Sequence, residues 1–339
     1  MTSTSISTAP PQRRDDQVSA DRAENIQKQQ LQAKEVRVAL QSRPQRTNNP
    51  SADPVMSPVA HTKGSQTMRH ELVEINGQRL HVTDAGGQGA VLLFAHGNQM
   101  DYSMWNSVIE LLTGDFRCIA WDMRLHGSSE DDGLPFTYWE AARDALAVLD
   151  WAQVSQAILV GHSQGGFTAL RAALLAPDRV AGLVLVDTMS HAFSGESLLR
   201  MAAARDALAA GEVEATAIRL LQMSIGDDDI ERVWKERMLN QPPARLARAV
   251  GVLMGADDIT DSVGTISTKA VVVHGEQDQP IPISLGEELA RALPNAYLVP
   301  IAGNGHTPPL TAAAAVADAI FSFARSNRAP LTIPDERSE

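Results

Sequence analysis

The stretch ILVGHSQGGFTAL, Ile158–Leu170, places a serine between an aliphatic run that predicts a buried strand and a following segment that predicts a helix. A serine hydroxyl becomes a useful nucleophile only when a base and oxyanion donors lie within hydrogen-bonding distance. Gly161 and Gly165 leave room for a strained turn that exposes Ser163, and the backbone N–H of Gln164 points to the same place. We therefore predict a catalytic nucleophile at Ser163 and an oxyanion donor at Gln164. The alternative is a glycine-rich turn that carries serine by chance.

Short runs rich in Val, Ile and Leu alternate with helical patterns along most of the chain, which is typical of βαβ units and a mainly parallel sheet. The first two runs alternate apolar with polar residues around the sequence NGQ, so they predict an antiparallel edge hairpin. The other runs are almost continuously apolar, as strands covered on both faces are. The eight predicted strands are Glu71–Ile75, Arg79–Thr83, Ala90–Ala95, Arg117–Trp121, Gln156–Val160, Gly182–Val186, Ala270–His274 and Ala296–Val299.

Residues 188–258 lack strand patterns and contain four consecutive helical patterns, which is too long for an ordinary connection and predicts a helical cap. The predicted cap helices are Glu196–Ala210, Val213–Ser224, Asp228–Asn240 and Pro243–Met254. The predicted core then consists of residues 68–187 and 259–327, followed by a flexible tail at 328–339. Residues 1–67 are rich in Ser, Thr, Gln, Arg and Pro, so we expect a disordered N-terminal extension. Met68 is an alternative start of the natural chain.

Composition limits the partners of this 339-residue chain. Its net charge of −12 argues against nucleic acid or an anionic membrane as a binding partner, and a small molecule is easier to accommodate. The sequence has no apolar run approaching the roughly 18 residues of a membrane span, and its first residues lack the apolar region of a secretory signal. With Cys118 as its one cysteine, no internal disulfide forms. We therefore expect a cytoplasmic protein.

Five motifs, FAHGNQMD, WDMRLHGSS, GHSQGG, VVVHGEQDQPIP and GNGHTPP, together resemble the α/β-hydrolase fold family. The resemblance covers roughly residues 70 to 326 and is closest to the branch of small-molecule esterases, lactonases and carbon–carbon bond hydrolases. It implies an α/β fold with an eight-stranded, mostly parallel sheet flanked by helices and an all-helical cap insertion.

The resemblance also implies partners for Ser163. It places the general base at His306, after the last strand, and the orienting acid at Asp278, after the seventh strand. Asp187 closes the sixth strand, where some members place the acid, and is the alternative. The backbone N–H of Asn98 corresponds to the second oxyanion donor, and the Asn98 side chain would be a further polar group at the pocket floor.

Other polar residues of these motifs have structural explanations. We expect His96 and His126 to brace turns, and Asp122 and Arg124 to form an ion pair within one loop. The histidines lack metal-ligand spacing, so we predict neither a metal site nor a cofactor.

The predicted function is a cofactor-independent serine hydrolase that cleaves a small-molecule carboxylic ester or lactone through an acyl-enzyme. One alternative is cleavage of a carbon–carbon or amide bond by the same triad. Another alternative is a non-catalytic small-molecule receptor, because the α/β-hydrolase fold family that this sequence resembles also contains receptors. The natural substrate and the oligomeric state stay open.

Overall fold

Eight strands form one sheet in residues 68–327, the part of the chain that this computed structural model describes. The predicted extension at 1–67 and the predicted tail at 328–339 lie outside the described residues. The strands are β1 (Arg69–Ile75), β2 (Gln78–Asp84), β3 (Val91–Ala95), β4 (Arg117–Trp121), β5 (Ala157–His162), β6 (Val180–Val186), β7 (Ala270–Gly275) and β8 (Ala296–Ile301).

The order of the strands in the sheet is β1-β2-β4-β3-β5-β6-β7-β8. β1 and β2 form an antiparallel hairpin whose turn residues Asn76 and Gly77 both have positive φ, 48° and 75°. Such turns match the twist of the strands that they join, and they favour an Asn-Gly pair. β2 pairs antiparallel with β4, and every pairing among β3 to β8 is parallel. The predicted eight-stranded, mostly parallel sheet with an edge hairpin is confirmed.

Helices cover both faces of the sheet. Leu93 and Ile119 face one hydrophobic core, and Leu92 and Phe94 face the other, because side chains alternate along each strand. Among the described residues, no helix has both the length and the apolar character needed to span a membrane. The flanking helices are α1 (Asn106–Leu112), α2 (Tyr138–Trp151), α3 (Gln164–Leu175), α8 (Thr260–Val263), α9 (Ile283–Ala292), α10 (Pro308–Thr311) and α11 (Ala313–Asn327), with 3-10 turns at Tyr102–Trp105 and Pro177–Arg179.

Four further helices lie between β6 and β7 and form the insertion that the sequence predicted as a cap. They are α4 (Gly195–Ala209), α5 (Val213–Ser224), α6 (Asp228–Leu239) and α7 (Pro243–Met254). α4 packs against α7, and α5 packs against α6. The first of these pairs has a small core of its own, to which Leu208, Leu246 and Val250 belong. In the second pair, Leu221 and Met238 pack with residues of the sheet core.

Candidate active site

Ser163 lies at the sharp corner between β5 and α3. Its φ of 51° and ψ of −114° fall in a region that costs an L-residue about 1–3 kcal/mol. Two hydrogen bonds hold this corner, because the Ser163 N–H donates to the Val186 carbonyl at 2.9 Å and the Thr188 hydroxyl donates to the Ser163 carbonyl at 2.8 Å. The neighbouring strand β6 and the residues after it thus stabilise the strained conformation.

The two glycines of this turn are required by close approach of the backbone. A Cβ atom on Gly161 would lie 2.2 Å from the carbonyl oxygen of Gly165. A Cβ atom on Gly165 would lie 2.2 Å from the carbonyl oxygen of Ala95, at the end of β3. Because both obstacles are backbone atoms, neither position accepts a side chain without moving a strand or the helix.

His306 and Asp278 form a buried pair beneath the same cavity that Ser163 lines. The Nδ1–H of His306 donates to Oδ2 of Asp278 at 2.7 Å, and Oδ1 of Asp278 accepts a hydrogen bond from the Ile281 N–H at 2.9 Å. A proton on Nδ1 leaves Nε2 of a neutral imidazole as the basic nitrogen. The structure therefore brings together two of the three residues of the predicted triad and gives His306 the tautomer that a general base needs.

The charge of Asp278 is set by opposing effects. Burial acts to raise its pKa, but the charge of His306 and hydrogen bonds from His274, His306 and the Ile281 N–H outweigh it, so the pKa lies below its ordinary value. Asp278 is therefore an ionised carboxylate at neutral pH, as stabilisation of an imidazolium requires.

Asp187, the alternative acid, closes β6 and points to a different partner. Its Oδ1 accepts a hydrogen bond from the Gly275 N–H at 2.7 Å. Burial raises the pKa of Asp187 well above its ordinary value, and the negative charge of Asp278 adds to this effect. Burial and the charge of Asp278 thus favour the protonated form of Asp187, and of the two candidate acids Asp278 is the one bonded to His306.

Within residues 68–327, one group of three side chains has the spacing of potential metal ligands. It consists of Asp187, His274 and Asp278, whose ligand atoms lie within 4.8 Å of one another. The Nε2 atom of His274 lies 2.8 Å from the Ile281 carbonyl oxygen, so it carries a proton and donates to that carbonyl. A protonated nitrogen has no lone pair for a metal ion. We therefore assign this group to hydrogen bonding around Asp278.

His162 links the Ser163 turn to the loop that carries His306. The Nε2–H of His162 donates to the His306 carbonyl at 2.6 Å, and the two imidazole rings lie 5.0 Å apart. Burial and the charge of His306 lower the pKa of His162 to about 3. His162 is therefore neutral at physiological pH and holds the position of the loop without competing for a proton.

The two predicted oxyanion donors follow adjacent strands of the sheet. Gln164 is the first residue of α3, so the helix offers no acceptor for its backbone N–H. Asn98 follows β3, and its backbone N–H makes no hydrogen bond within the described residues. The Asn98 side chain, expected as a further polar group at the pocket floor, belongs to a residue that lines the cavity, and its Nδ2 donates to Gln164 Oε1 at 3.3 Å and to the Ala249 carbonyl at 3.1 Å.

The predicted ion pair between Asp122 and Arg124 is wrong. The oxygens of Asp122 accept hydrogen bonds from the backbone N–H groups of Tyr102 and Ser128, and Oδ2 lies 2.8 Å from the ring of His81. The Arg124 guanidinium instead pairs with Asp144 of α2, at 2.6 Å. The two side chains leave the loop in different directions, which adjacent positions in sequence do not reveal.

The other two predicted bracing residues are confirmed. The ring of His96 lies 2.8 Å from the Gly97 carbonyl and accepts a hydrogen bond from the Met123 N–H at 3.0 Å. His126 donates from Nδ1 to the Arg124 carbonyl at 2.8 Å. Both rings are buried, and burial lowers their pKa values, that of His126 to about 3.

A cavity of about 140 Å³ lies between the insertion and the sheet, and Ser163, His306 and Asn98 line it. Most of its other wall residues are apolar. Sequence reasoning did not single out three of these apolar wall residues, Phe193, Pro280 and Ile281. These three follow β6 and β7, so the rule that ligands bind beyond the carboxyl ends of parallel strands could have found them. The wall residues from the insertion are Ser197, Arg200, Met201, Ala204, Leu220, Leu221, Met223, Ser224, Met238, Val250 and Leu253.

The fold and this arrangement define a class, the α/β hydrolases. The sequence profile of the α/β hydrolase fold family matches residues 90–313, and the chain belongs to this family. It is 30% identical over 263 residues to a dihydrolipoyllysine-residue acetyltransferase component of an acetoin cleaving system from Pseudomonas putida, covering 75% of this chain and 69% of that protein. It is 28% identical over 249 residues to a pimeloyl-[acyl-carrier protein] methyl ester esterase from Nitrosomonas europaea, covering 68% of this chain and 94% of that one.

Solved structures with the same fold include enzymes named as esterases and lactonases. A thermophilic esterase from Thermogutta terrifontis superposes with a TM-score of 0.71 at 25% identity, covering 78% of this chain and all of that one. An enol-lactonase from Burkholderia xenovorans superposes with a TM-score of 0.69 at 24% identity, covering 76% of this chain and all of that one. The second likeness supports the fold alone. This chain is therefore a hydrolase of the α/β class, and its relatives include a methyl ester esterase.

Proposed function

We propose that this protein is a serine hydrolase that cleaves a small-molecule carboxylic ester or lactone through an acyl-enzyme. The observation that carries the proposal is the buried hydrogen bond of 2.7 Å between His306 Nδ1 and Asp278, beside a cavity that the strained Ser163 also lines. In this proposal Ser163 is the nucleophile, His306 the general base and Asp278 the acid that orients it. The second acid, Asp187, takes no part in proton transfer.

The proposed reaction begins with attack of Ser163 Oγ on the carbonyl carbon of the ester. His306 Nε2 takes the hydroxyl proton, and Asp278 stabilises the imidazolium that forms. The carbonyl oxygen becomes an oxyanion, which accepts hydrogen bonds from the backbone N–H groups of Asn98 and Gln164. When the tetrahedral intermediate collapses, His306 returns the proton to the leaving alcohol. Water then attacks the acyl-enzyme by the same sequence of steps and regenerates Ser163.

The walls of the cavity favour an apolar acyl group of limited size. Leucine and methionine side chains from the insertion form much of its surface, and no acidic side chain lines it among the described residues. An apolar cavity of about 150 Å³ is large enough to hold benzene, and this one is similar in volume. We therefore propose acyl groups of about six carbons, or a lactone ring of comparable size, as preferred substrates. The relative named as a methyl ester esterase supports an ester as the substrate.

Hydrolysis of p-nitrophenyl esters from acetate to decanoate, together with a panel of lactones, tests the proposal. Wild-type protein should turn over at least one of them, should be labelled covalently by a fluorophosphonate, and should lose both properties in Ser163→Ala. Fluorophosphonate labelling without turnover of any ester or lactone would favour the carbon–carbon or amide bond alternative. Tight binding of these compounds with neither labelling nor turnover would favour a receptor.

A further inference from the structure

The side chains of the two residues proposed to supply the oxyanion donors are bonded to each other. Asn98 Nδ2 donates to Gln164 Oε1 at 3.3 Å, and the hydroxyl of Tyr138 donates to the same oxygen at 3.0 Å. Gln164 and Tyr138 are buried, and Asn98 is half-buried. Burial raises the pKa of Tyr138, so its hydroxyl stays protonated and remains a donor. Both lone pairs of the Gln164 amide oxygen are thus occupied.

The other end of the Gln164 amide is held as well. Its nitrogen lies 3.3 Å from Nε2 of His126, while Nδ1 of His126 donates to the Arg124 carbonyl. Because Nδ1 carries the proton of this neutral ring, Nε2 accepts a hydrogen bond from Gln164. Every hydrogen bond in this side-chain network therefore joins a donor to an acceptor. This matching specifies one orientation of the Gln164 amide group.

The same network reaches the insertion through helix α7. Asn98 Nδ2 also donates to the Ala249 carbonyl, and the neighbouring Gln99 donates to the Leu246 carbonyl at 3.0 Å. Arg245 of α7 donates in return to the His126 carbonyl at 2.9 Å. The loop after β3, the first turn of α3 and helix α7 are therefore joined by hydrogen bonds close to the cavity.

We propose that the side chains of Asn98, Gln164 and Tyr138 are positioning residues that hold the two oxyanion donors at a fixed separation and couple them to helix α7. This inference rests on the proposed function, because it assigns a task to side chains whose backbone N–H groups that function uses. An oxyanion hole works only if both donors lie 2.7–3.1 Å from the developing oxygen, so a small shift of one peptide weakens it. Side-chain substitutions leave both N–H groups in place and change only their support.

Two neighbouring residues of α2 provide a matched pair of variants. Tyr138→Phe removes the hydroxyl that donates to Gln164. Trp139→Phe removes an N–H that donates to Asp257 at 3.0 Å, at the base of the insertion and outside the cavity wall. We expect Tyr138→Phe to lower kcat for p-nitrophenyl acetate by about tenfold with KM unchanged, since loss of a whole oxyanion donor costs roughly 10²–10³-fold. Trp139→Phe should leave kcat within about twofold, as expected for a change away from the reaction.

Affinity for a trifluoromethyl ketone reports on the oxyanion hole directly. In the adduct, Ser163 Oγ bonds to the ketone carbon, its proton passes to His306, and the carbonyl electron pair becomes the oxyanion. In Tyr138→Phe and in Asn98→Ala, the inhibition constant should therefore rise by the same factor by which kcat falls. A purely structural effect on folding would not change the two quantities by the same factor. The double variant should lose little more than the worse single variant, because both donors serve the same oxygen of Gln164.

Unchanged kcat and inhibitor affinity in Tyr138→Phe and Asn98→Ala would overturn the inference. A rise in KM with kcat unchanged would also overturn it, because it would indicate a role in substrate binding. If Tyr138→Phe fails to fold, Asn98→Ala alone decides between these results. Absence of Ser163-dependent turnover in the wild type would instead refute the proposed function, so the two failures are distinguishable.

Discussion

Replacement of Asp278 by asparagine is the sharpest perturbation of the proposed triad. Oδ1 of Asp278 accepts the Ile281 N–H, so the amide oxygen of an asparagine is expected to occupy that position. The amide nitrogen then takes the place of Oδ2, which lies 2.7 Å from His306 Nδ1 and 3.3 Å from His274 Nε2, so the His274 N–H keeps only the Ile281 carbonyl as its acceptor. An amide nitrogen is a donor, so His306 has to accept at Nδ1 and carry its proton on Nε2. In that tautomer Nε2 cannot take the proton of Ser163.

The expected effect of Asp278→Asn is a fall in kcat of about 10⁴-fold, the magnitude observed in other triads when the histidine is held in the wrong tautomer. At about 1.4 kcal/mol for each factor of ten, this corresponds to roughly 5 kcal/mol of transition-state stabilisation. KM should change much less, because the carboxylate lies behind His306 and is not among the residues that line the cavity.

Asp187→Asn is the matched control for this experiment. Asp187 is buried in the same cluster, but its Oδ1 accepts a hydrogen bond from the Gly275 N–H, and burial raises its pKa and so favours its protonated form. Asparagine has nearly the same shape and charge as a protonated aspartic acid, so kcat should fall by less than about tenfold. Initial rates with the best p-nitrophenyl ester, measured for wild type and both variants at pH 7.5, provide the comparison. Thermal melts establish that each variant is folded.

The opposite ranking would refute this reasoning. If folded Asp187→Asn loses about 10⁴-fold while folded Asp278→Asn remains active, Asp187 is the acid that orients His306. Equal, mild losses in both variants would mean that neither acid fixes the tautomer of His306.

Three further predictions concern stability and specificity. Because the pKa of Asp187 is raised in the folded state, its contribution to stability is present below its ordinary pKa and is lost as pH rises towards the folded value. The Tm of Asp187→Asn relative to wild type should therefore increase between pH 4 and pH 8, and a constant difference would contradict a raised pKa of Asp187. Leu253→Trp places a larger side chain in the cavity wall and should fill part of the cavity. It should lower kcat/KM by about tenfold or more for a hexanoate ester, but by less than about threefold for an acetate ester. Equal losses on both esters would argue against an acyl site beneath the insertion. Gly165→Ala should destabilise the protein by at least about 2 kcal/mol, or roughly 5 °C in Tm, because its Cβ meets the Ala95 carbonyl; a melt that matches wild type would show that this backbone contact can relax.

Patterns within one segment of the chain predicted most of the fold. Apolar runs and helical periodicity located all eight strands, and the ranges of α5 and α7 match their predictions at both ends. The turn around Ser163 was also predictable, because its glycines and serine lie in one short segment, although the carbonyl that requires Gly165 belongs to Ala95 of β3. Apolar runs, helical periodicity and glycine patterns of this kind are all contained in a short window of sequence.

Contacts between loops were decided by the tertiary structure. The sequence by itself left Asp187 and Asp278 as rival acids, because both follow strands that end at the same edge of the sheet. Their difference arises where β6 and β7 pair in parallel, which directs Asp187 to the Gly275 N–H and leaves Asp278 facing His306. The direction of a side chain at the end of a strand depends on the register of neighbouring strands, and no local pattern encodes it.

The same distinction explains the polar residues around the cavity. Three side chains that are hydrogen-bonded to one another, those of Asn98, Gln164 and Tyr138, belong to separate segments of the chain. No pattern within any of these segments predicts the contact. For the same reason, Arg124 forms its ion pair with Asp144 rather than with Asp122. The sequence determined which chemical groups are present and which strand or helix carries each of them. The packing of helices and loops against the sheet decided which groups lie within hydrogen-bonding distance of one another, because only the folded chain sets these distances.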